Sequence, residues 1–364
     1  MHFKDRKIVP MQKITTQALL ESYEGALTFS NPLTDTISTE QFSAEYAERP
    51  EWAVGPFRKD DSLSFRQVQD WEDPTGIGWT ADSIFNPSLM ERDGKLYLFY
   101  RASPRKESVS SRIGVAVFDP ENGWQDNPAN PVIYPTLDNE ILGCEDPKVY
   151  QADGRYYMFY NGIWTIDHSD GQSGQNADAY PLGDVGCDIN LAVSDDLVHW
   201  EKLGLAVPHE VSRFWAKGAV IPRNAQGEAV KIDGHYLMYL SEGCGGTTHV
   251  GRSSDMVEWT FEPQDYLDLG QLGGSLHEVA CAIVSDDERN ELVLDFFYAD
   301  ANGDFAAAQA LYDISQPFTQ KAINEGGSLA WGGLLKFGGS WVFAQGWDAP
   351  KGSREMYFYR ADHS

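Results

Sequence analysis

The residues with the clearest chemical potential are two adjacent carboxylates, Glu145 and Asp146, which stand directly before Pro147. They open a segment that reads as a buried strand, an Asp-Gly turn at 153–154 and a second apolar strand. Burying a charged side chain is costly unless the charge is paired or used. An isolated Asp-Pro pair is typical of a capped turn. This simpler interpretation holds unless the rest of the chain places other polar residues at the same structural position.

The same pattern of strand, Asp-Gly or Gly-Gly turn, strand, loop and strand recurs from residue 82 onwards. The five recurrences have their first strands near residues 85, 145, 217, 277 and 331. Five units of four strands predict an all-β protein, a five-bladed β-propeller. A β-sandwich is the alternative, but it leaves the five recurrences unexplained. We therefore predict a propeller domain over 81–364 and an irregular N-terminal extension over 1–80 that packs on it.

Composition excludes several classes of function. The chain of 364 residues has a formal net charge of −27, which argues against nucleic acid or an anionic membrane surface as a partner. Its four cysteines are widely spaced and form no CxxC pair, so the spacing of a zinc site is absent. We expect no metal and no cofactor. No stretch approaches the roughly 20 apolar residues of a membrane span. The N-terminus lacks the apolar core of a signal peptide. We therefore expect a soluble, cytoplasmic protein.

A shared mouth for the five blades is the next expectation. The first strand of each propeller blade lines the central channel, so the five strand starts converge there. The residues expected at this mouth are Asn86, Glu145, Asp146, Lys217, His277, Glu278 and Trp331. Polar residues from distant positions that share one cavity predict a ligand-binding site. Each of them alone could equally cap a turn or hydrogen-bond within the channel, so the prediction rests on the set.

Carboxylates beside tryptophan and tyrosine indicate a sugar ligand, because aromatic rings stack on pyranose faces. Cleavage of a glycosidic bond needs a protonated carboxyl as acid, and inverting hydrolysis adds a carboxylate base about 6.5–9.5 Å away. Phosphorolysis replaces that base with phosphate, which cationic side chains hold. The sequence offers material for both, namely the cations Arg101, Arg112 and Lys217 and the further carboxylates Glu242 and Glu278. Arg112 could equally be a solvated strand residue.

Several motifs in order resemble one known family over about residues 80–260. They are Phe85-Asn86-Pro87, Tyr100-Arg101, Ser111-Arg112-Ile113-Gly114-Val115-Ala116, Cys144-Glu145-Asp146-Pro147-Lys148 and the run over 217–222. The order resembles glycoside hydrolase family 130, the β-mannoside phosphorylases and mannosidases. The resemblance implies a five-bladed propeller that acts on β-mannosides with inversion. It also implies Asp146 as proton donor, and Asn86, Ser111, Arg112 and Lys217 as sugar or phosphate contacts.

The chain departs from the family pattern in ways that affect the acceptor. The motif arginine is Lys148, which lacks the bidentate fork of arginine. Phosphorylases tend to carry a His-Arg pair after the third-blade hairpin, where this chain has Tyr-Leu-Ser-Glu-Gly at 239–243. The long polar loop over 163–186 contains no arginine, and His277-Glu278 replaces an apolar strand start. Fewer cations and more carboxylates slightly favour hydrolysis over phosphorolysis.

Other five-bladed glycosidases share the Asp-Pro blade start, among them arabinanases, β-xylosidases and invertases. They normally carry an aspartate on blade one and a glutamate on blade three, where this chain has Asn86 and Lys217. That difference argues against their mechanism.

We therefore expect an enzyme that cleaves a β-mannoside-like oligosaccharide with Asp146 as general acid. For hydrolysis Glu278 is the first candidate base and Glu242 the second. Phosphorolysis to mannose 1-phosphate is one alternative, and a sugar-binding propeller without activity is another. The expected partners are an oligosaccharide and, in the phosphorolytic alternative, inorganic phosphate. A homo-oligomer is compatible with the sequence, since residues 1–80 could form a subunit contact or close the pocket.

Overall fold

The computed structural model describes most of the chain downstream of residue 48 and a few residues before it. The described ranges are 11–15, 17–19, 21, 49–70, 76, 78–104, 109–166, 185–285, 289–328, 330–350 and 352–361. Within these ranges the strands form five separate sheets. No helix among these residues is long and apolar enough to cross a membrane.

Regular structure starts with two short strands, β1 (Phe57–Lys59) and β2 (Phe65–Arg66). The first complete sheet is formed by β3 (Ser83–Arg92), β4 (Lys95–Ser103), β5 (Arg112–Asp119) and β6 (Gly123–Asp126). The second sheet is formed by β7 (Gly143–Ala152), β8 (Arg155–Thr165), β9 (Val185–Ser194) and β10 (Glu201–Leu205). In both sheets neighbouring strands are antiparallel and follow chain order.

Asp-Gly turns join the first two strands of both sheets. Asp93 and Gly94 have φ of 54° and 76°, and Asp153 and Gly154 have φ of 48° and 80°. Two-residue hairpin turns of type I′ require positive φ at both central residues, and aspartate followed by glycine adopts it readily. The hairpins predicted from these dipeptides are therefore present.

A short helix, α1 (His209–Ser212), leads into the remaining three sheets. The third sheet contains β11 (Tyr236–Leu240), β12 (His249–Ser253) and β13 (Thr260–Pro263), and an isolated bridge pairs Val220 with Tyr239 on its inner side. The fourth sheet contains β14 (Ser275–Val284), β15 (Glu291–Ala299), β16 (Phe305–Asp313) and β17 (Ala322–Glu325). The fifth contains β18 (Leu335–Phe337), β19 (Ser340–Gln345) and β20 (Glu355–Ala361).

Apolar side chains fill the spaces between neighbouring sheets. One buried cluster joins Tyr150 and Leu191 of the second sheet to Met238 of the third. Another joins Leu89 of the first sheet to Val342 of the fifth. Sheets that pack face to face around an axis in this way form a five-bladed β-propeller, so the fold predicted from the five recurrences is confirmed.

The N-terminal segment supplies the outer strand of the fifth blade. β1 pairs with β20 in the register Phe57 to Ala361, and β2 pairs with the same strand. The Phe57 ring packs edge-on against Phe343 of β19, with ring centroids 4.9 Å apart. Residues 57–66 and the C-terminal strands over 335–361 therefore share one sheet, which closes the ring of blades. The division into an extension over 1–80 and a propeller over 81–364 stays a prediction, and residues 57–66 already belong to a blade.

Candidate functional site

The inner strands of the first and second blades carry the same distortion near their starts. Asn86 and Asp146 have φ of 44° and 48°, and the strand register shifts across each of them. Positive φ is unfavourable for most side chains, and asparagine and aspartate tolerate it best. This requirement explains why these two residue types occupy equivalent positions. Bulges of this kind change the direction in which a side chain points. Here they bring the two side chains into contact, and Asn86 Nδ2 donates a hydrogen bond to Asp146 Oδ1 at 2.7 Å.

Asp146 is surrounded by donors from two other blades. Besides Asn86, Nη1 of Arg101 lies 2.9 Å from Oδ1, and Nζ of Lys217 lies 2.6 Å from Oδ2. Burial raises the pKa of Asp146, but the charges of Lys217 and Arg101 outweigh burial and hold the pKa below its ordinary value. Asp146 is therefore an ionised carboxylate in this structure.

Glu145 shares the same two cations but is held less tightly. Nη2 of Arg101 lies 2.7 Å from its Oε1, whereas Nζ of Lys217 is 3.6 Å from its Oε2. Arg101 is oriented by Ser111, whose Oγ accepts a hydrogen bond from Nε at 2.7 Å. Burial raises the pKa of Glu145 despite the charges of Arg101 and Lys217, and the neighbouring charge of Asp146 raises it further. Arg101 thus bridges two carboxylates with different charge preferences.

Lys217 is the most accessible charged group in this cluster. Its side chain is 13 % exposed, compared with 2 % for Asp146. Burial lowers the pKa of Lys217, but the charges of Asp146 and Glu145 dominate and raise it well above its ordinary value. An incoming anionic or polar ligand would therefore meet Lys217 first.

Glu278 lies in a separate environment formed by the second and fifth blades. Trp331 Nε1 donates to its Oε2 at 3.1 Å, and Lys148 Nζ lies 3.6 Å from its Oε1. Lys148 Nζ also donates to the carbonyl oxygen of Trp331. Burial raises the pKa of Glu278 to about 7, because the charges of Lys148 and Lys217 only partly offset it. Glu278 can therefore change its charge near neutral pH.

The remaining predicted site residues fall into three cases. Glu242 accepts a hydrogen bond from Trp215 Nε1 at 3.3 Å, and its charge raises the pKa values of both Lys217 and Glu278. Arg112 is buried and donates from Nη1 to the carbonyl oxygens of Ser110 and Ser111, 3.0 Å away in each case. The backbone of His277 is part of β14, but its side chain lies outside what the structure describes. Most of the polar loop predicted over 163–186 also lies outside the described residues.

Trp347, which follows β19 in the fifth blade, also lies at this site and was not predicted from the sequence. Its Nε1 donates to Asn86 Oδ1 at 2.6 Å, and its ring centroid is 5.9 Å from that of Trp331. The two indoles thus connect to Asp146 through Asn86 and to Glu278 directly. The feature of the sequence that points to this contact is the glycine at position 346, because any Cβ there would overlap the carbonyl oxygen of Ile84. Glycine there lets the fifth blade approach the first and places Trp347 beside Asn86.

Cavity size does not identify this site. A cavity of about 720 Å³ lies elsewhere, between Lys231, Arg252 and the loop over 314–319, and contains none of the predicted site residues. The cavity that includes Asp146, Lys148 and Asn161 measures only about 10 Å³, roughly the space that one water molecule occupies. The functional assignment therefore rests on the charged groups. No cluster of metal-binding side chains occurs among the described residues.

Comparison with known proteins identifies relatives of this chain. The model of a family described as β-1,4-mannooligosaccharide phosphorylase matches residues 62–176. A β-1,2-mannobiose phosphorylase from Thermoanaerobacter sp. (strain X514) is 28 % identical over 134 residues, which cover 34 % of this chain and 39 % of that protein. A 1,2-β-oligomannan phosphorylase from the same strain is 24 % identical over 163 residues, which cover 43 % and 48 %. The alignments thus span less than half the length of these curated relatives.

A solved structure shares the fold over nearly its full length. It superposes with a TM-score of 0.61 and 21 % identity, covering 87 % of this chain and 96 % of that chain. It is described with the statement that the GH130 family of mannoside phosphorylases contains glycoside hydrolases that target β-1,2 mannosidic linkages in Candida mannan. That likeness supports the propeller fold. The family model and the curated relatives show a similarity confined to part of the chain. The chain is therefore similar to glycoside hydrolase family 130 over residues 62–176, about a third of its length.

Proposed function

We propose that this protein is an enzyme that cleaves the glycosidic bond of a β-mannoside oligosaccharide. The observation that carries the proposal is a pair of buried carboxylates, Asp146 and Glu278, whose pKa values are shifted in opposite directions. Glycosidic cleavage needs one group that donates a proton and one that accepts a proton or is replaced by an acceptor anion. Pairs of titratable groups with separated pKa values are typical of such chemistry. The names of the curated relatives support a mannoside as substrate.

The proposed acid, Asp146, must gain a proton before it can donate one. Lys217 and Arg101 keep it ionised while the ion pairs are intact. A ligand that draws Lys217 away from Asp146 would remove one of these charges and raise the pKa of Asp146. Substrate binding and activation of the acid are thereby coupled through Lys217. Glu278, with a pKa of about 7, is ionised in a large fraction of molecules at neutral pH and is the proposed base.

Water is the first candidate acceptor and phosphate the second. Arg101, Lys148 and Lys217 each contact a carboxylate in this structure, so phosphate would have to displace one of these partners. This favours hydrolysis. Phosphorolysis is favoured by the curated relatives, both of which are named phosphorylases.

Incubation with defined sugars tests the proposal. Purified protein is given β-1,2- and β-1,4-linked mannobiose and longer oligomers, with and without inorganic phosphate, and products are separated by anion-exchange chromatography. Free mannose at the same rate in both conditions supports hydrolysis. Mannose 1-phosphate that forms only when phosphate is present would mean that the acceptor is phosphate and that water is not. No product from any β-mannoside, together with sugar binding by calorimetry, would leave a binding propeller and overturn the enzymatic proposal.

A further inference from the structure

Lys148 joins three blades beneath the proposed site. It lies on β7 of the second blade, two residues after Asp146. Its Nζ donates to the carbonyl oxygen of Trp331 in the fifth blade and lies 3.6 Å from Oε1 of Glu278 in the fourth. Trp331 in turn donates its indole N–H to the other oxygen of the same carboxylate. Lys148 and Trp331 therefore fix both oxygens of Glu278.

A lysine is costly at this place unless its charge is used. The Lys148 and Glu278 side chains are each only 4 % exposed. Burial lowers the pKa of Lys148, and the charges of Glu278 and Asp146 oppose that shift. A buried ion pair often stabilises a fold no better than apolar residues of the same volume. Packing alone therefore does not explain an ammonium group at position 148, whereas the contact of Lys148 with Glu278 does.

We propose that Lys148 is a positioning residue for Glu278, which it holds in the orientation and the charge state that proton exchange in the cleavage reaction requires. The inference rests on the proposed function. Lys148 acts on the reaction only through Glu278 and contacts no substrate in this role. A lysine suits it because one compact ammonium group can serve the Trp331 carbonyl oxygen and the Glu278 carboxylate together.

Four charged groups act on Glu278, and they differ in sign. Lys148 and Lys217 favour its ionised form, whereas Glu242 and Asp146 oppose it. Of these two lysines, Lys148 lowers the pKa of Glu278 more. Without Lys148, the Glu278 carboxylate would still be repelled by the charges of Glu242 and Asp146. Lys217, whose effect on its pKa is smaller, would be the remaining cation of these four groups. An opposite charge at this range typically shifts a carboxyl pKa by about 1 to 3 units, so its loss should raise the pKa of Glu278 by a similar amount.

The test compares three substitutions that separate charge from packing. Lys148→Met removes the charge and keeps the chain length. Lys148→Gln also removes the charge but retains a donor for the Trp331 carbonyl oxygen, and it carries the test if the methionine variant does not fold. Lys148→Arg keeps the charge. Lys321→Met, at a surface lysine paired with Asp313, is the matched control.

Two readouts are followed across pH 5 to 9, with folding checked by circular dichroism. The first is kcat/KM on a β-mannoside. The second is the tryptophan emission of each protein minus that of its Trp331→Phe counterpart, because the Trp331 indole contacts Glu278 directly. In the wild type both are expected to change near pH 7, and Lys148→Met and Lys148→Gln should move the midpoint upward by at least about one unit. Lys148→Arg and Lys321→Met should keep it near the wild-type value.

An unchanged midpoint in folded Lys148→Met or Lys148→Gln would overturn the inference, and so would equal shifts in these variants and in Lys148→Arg. Failure of the proposed function gives a different result. In that case the wild type cleaves no β-mannoside, while the emission midpoint still responds to the charge at position 148.

Discussion

Asp146 and Glu278 are almost equally buried, with 4 % and 3 % of their surfaces exposed, yet their pKa values shift in opposite directions. Burial alone raises the pKa of both carboxyls. Asp146 accepts from an amide, a guanidinium and an ammonium group, all within 2.9 Å. Glu278 has one indole donor at 3.1 Å and one ammonium group at 3.6 Å. The number and distance of the donors therefore decide the direction of the shift, and burial does not.

This comparison also bears on the assignment of acid and base. A general acid must be protonated before the reaction, and a general base must be ionised. In this structure Asp146 is the group held ionised, although the family resemblance implies it as the acid. Either the ligand changes its surroundings, as proposed through Lys217, or the two roles are exchanged. Substitutions at the two carboxyls and at their partners separate these two possibilities.

Removing the charge of Asp146 should have the largest effect. We expect Asp146→Asn to lower kcat on a β-mannoside by about 10²- to 10⁴-fold, the usual contribution of a general acid or base. Steady-state kinetics measure this, and circular dichroism checks the fold. Asp61→Asn, at an aspartate whose side chain is 86 % exposed, is the control and should behave as the wild type. A variant that binds and turns over sugar like the wild type would remove Asp146 from the reaction.

Neutralising Glu278 should lower kcat to a similar or slightly smaller extent and reveal its role. Because its pKa is about 7, the kcat/KM profile of the wild type should have a limb near pH 7, and Glu278→Gln should lack it. If Glu278 is the base, activity rises with pH along that limb, since the ionised form is needed. If it is the acid, activity falls along the limb. A limb that persists unchanged in Glu278→Gln belongs to another group.

Features of the fold that depend on local sequence could be predicted, whereas features that depend on contacts between distant residues could not. The five blades and their hairpins were predictable because Asp-Gly turns and strand periods are local. The equivalence of Asn86 and Asp146 was also predictable, since both precede proline at a strand start. Pairing of Phe57 with Ala361 was not, because three residues of strand give a weak signal and the partner is at the other end of the chain.

The electrostatics of the site depend on distances that a sequence does not contain. Lys148 was noted only as a departure from a family motif, and nothing in the order of residues shows that it faces Glu278. The opposite pKa shifts follow from differences of about 1 Å in the distance from each carboxylate to its lysine, 2.6 Å from Asp146 to Lys217 and 3.6 Å from Glu278 to Lys148. The types of residue at the site could thus be predicted, whereas their partners could not.

Stability should depend on pH in opposite ways through the two carboxyls. The pKa of Glu278 is raised from 4.5 to about 7 by folding, so the folded state binds its proton more tightly. Its stabilising contribution is present below pH 4.5 and is lost as pH rises to 7, on the order of 3 kcal/mol. The pKa of Asp146 is lowered from 3.8, so its contribution is present above that pH and is lost as pH falls.

Urea unfolding of the wild type, Glu278→Gln and Asp146→Asn from pH 3 to 8 measures this contrast. Relative to the wild type, Glu278→Gln should gain stability as pH rises from 4.5 to 7. The deficit of Asp146→Asn should instead shrink as pH falls below about 4. Parallel profiles for all three proteins would show that neither carboxyl has the environment described here.

The smallest expected effect concerns Trp347, which acts on Asp146 only through Asn86. Its indole N–H fixes Oδ1 of Asn86 and so turns Nδ2 toward Asp146. Trp347→Phe keeps most of the ring but removes that hydrogen bond, worth about 1 kcal/mol, so kcat/KM should fall about fivefold. Trp200→Phe is the matched control, because it also removes an indole hydrogen bond, to Leu197 in the second blade. It should cost comparable stability without lowering kcat/KM. Equal losses of kcat/KM in both variants would mean that the loss comes from lower stability. Asn86 would then not need Trp347 to hold Asp146.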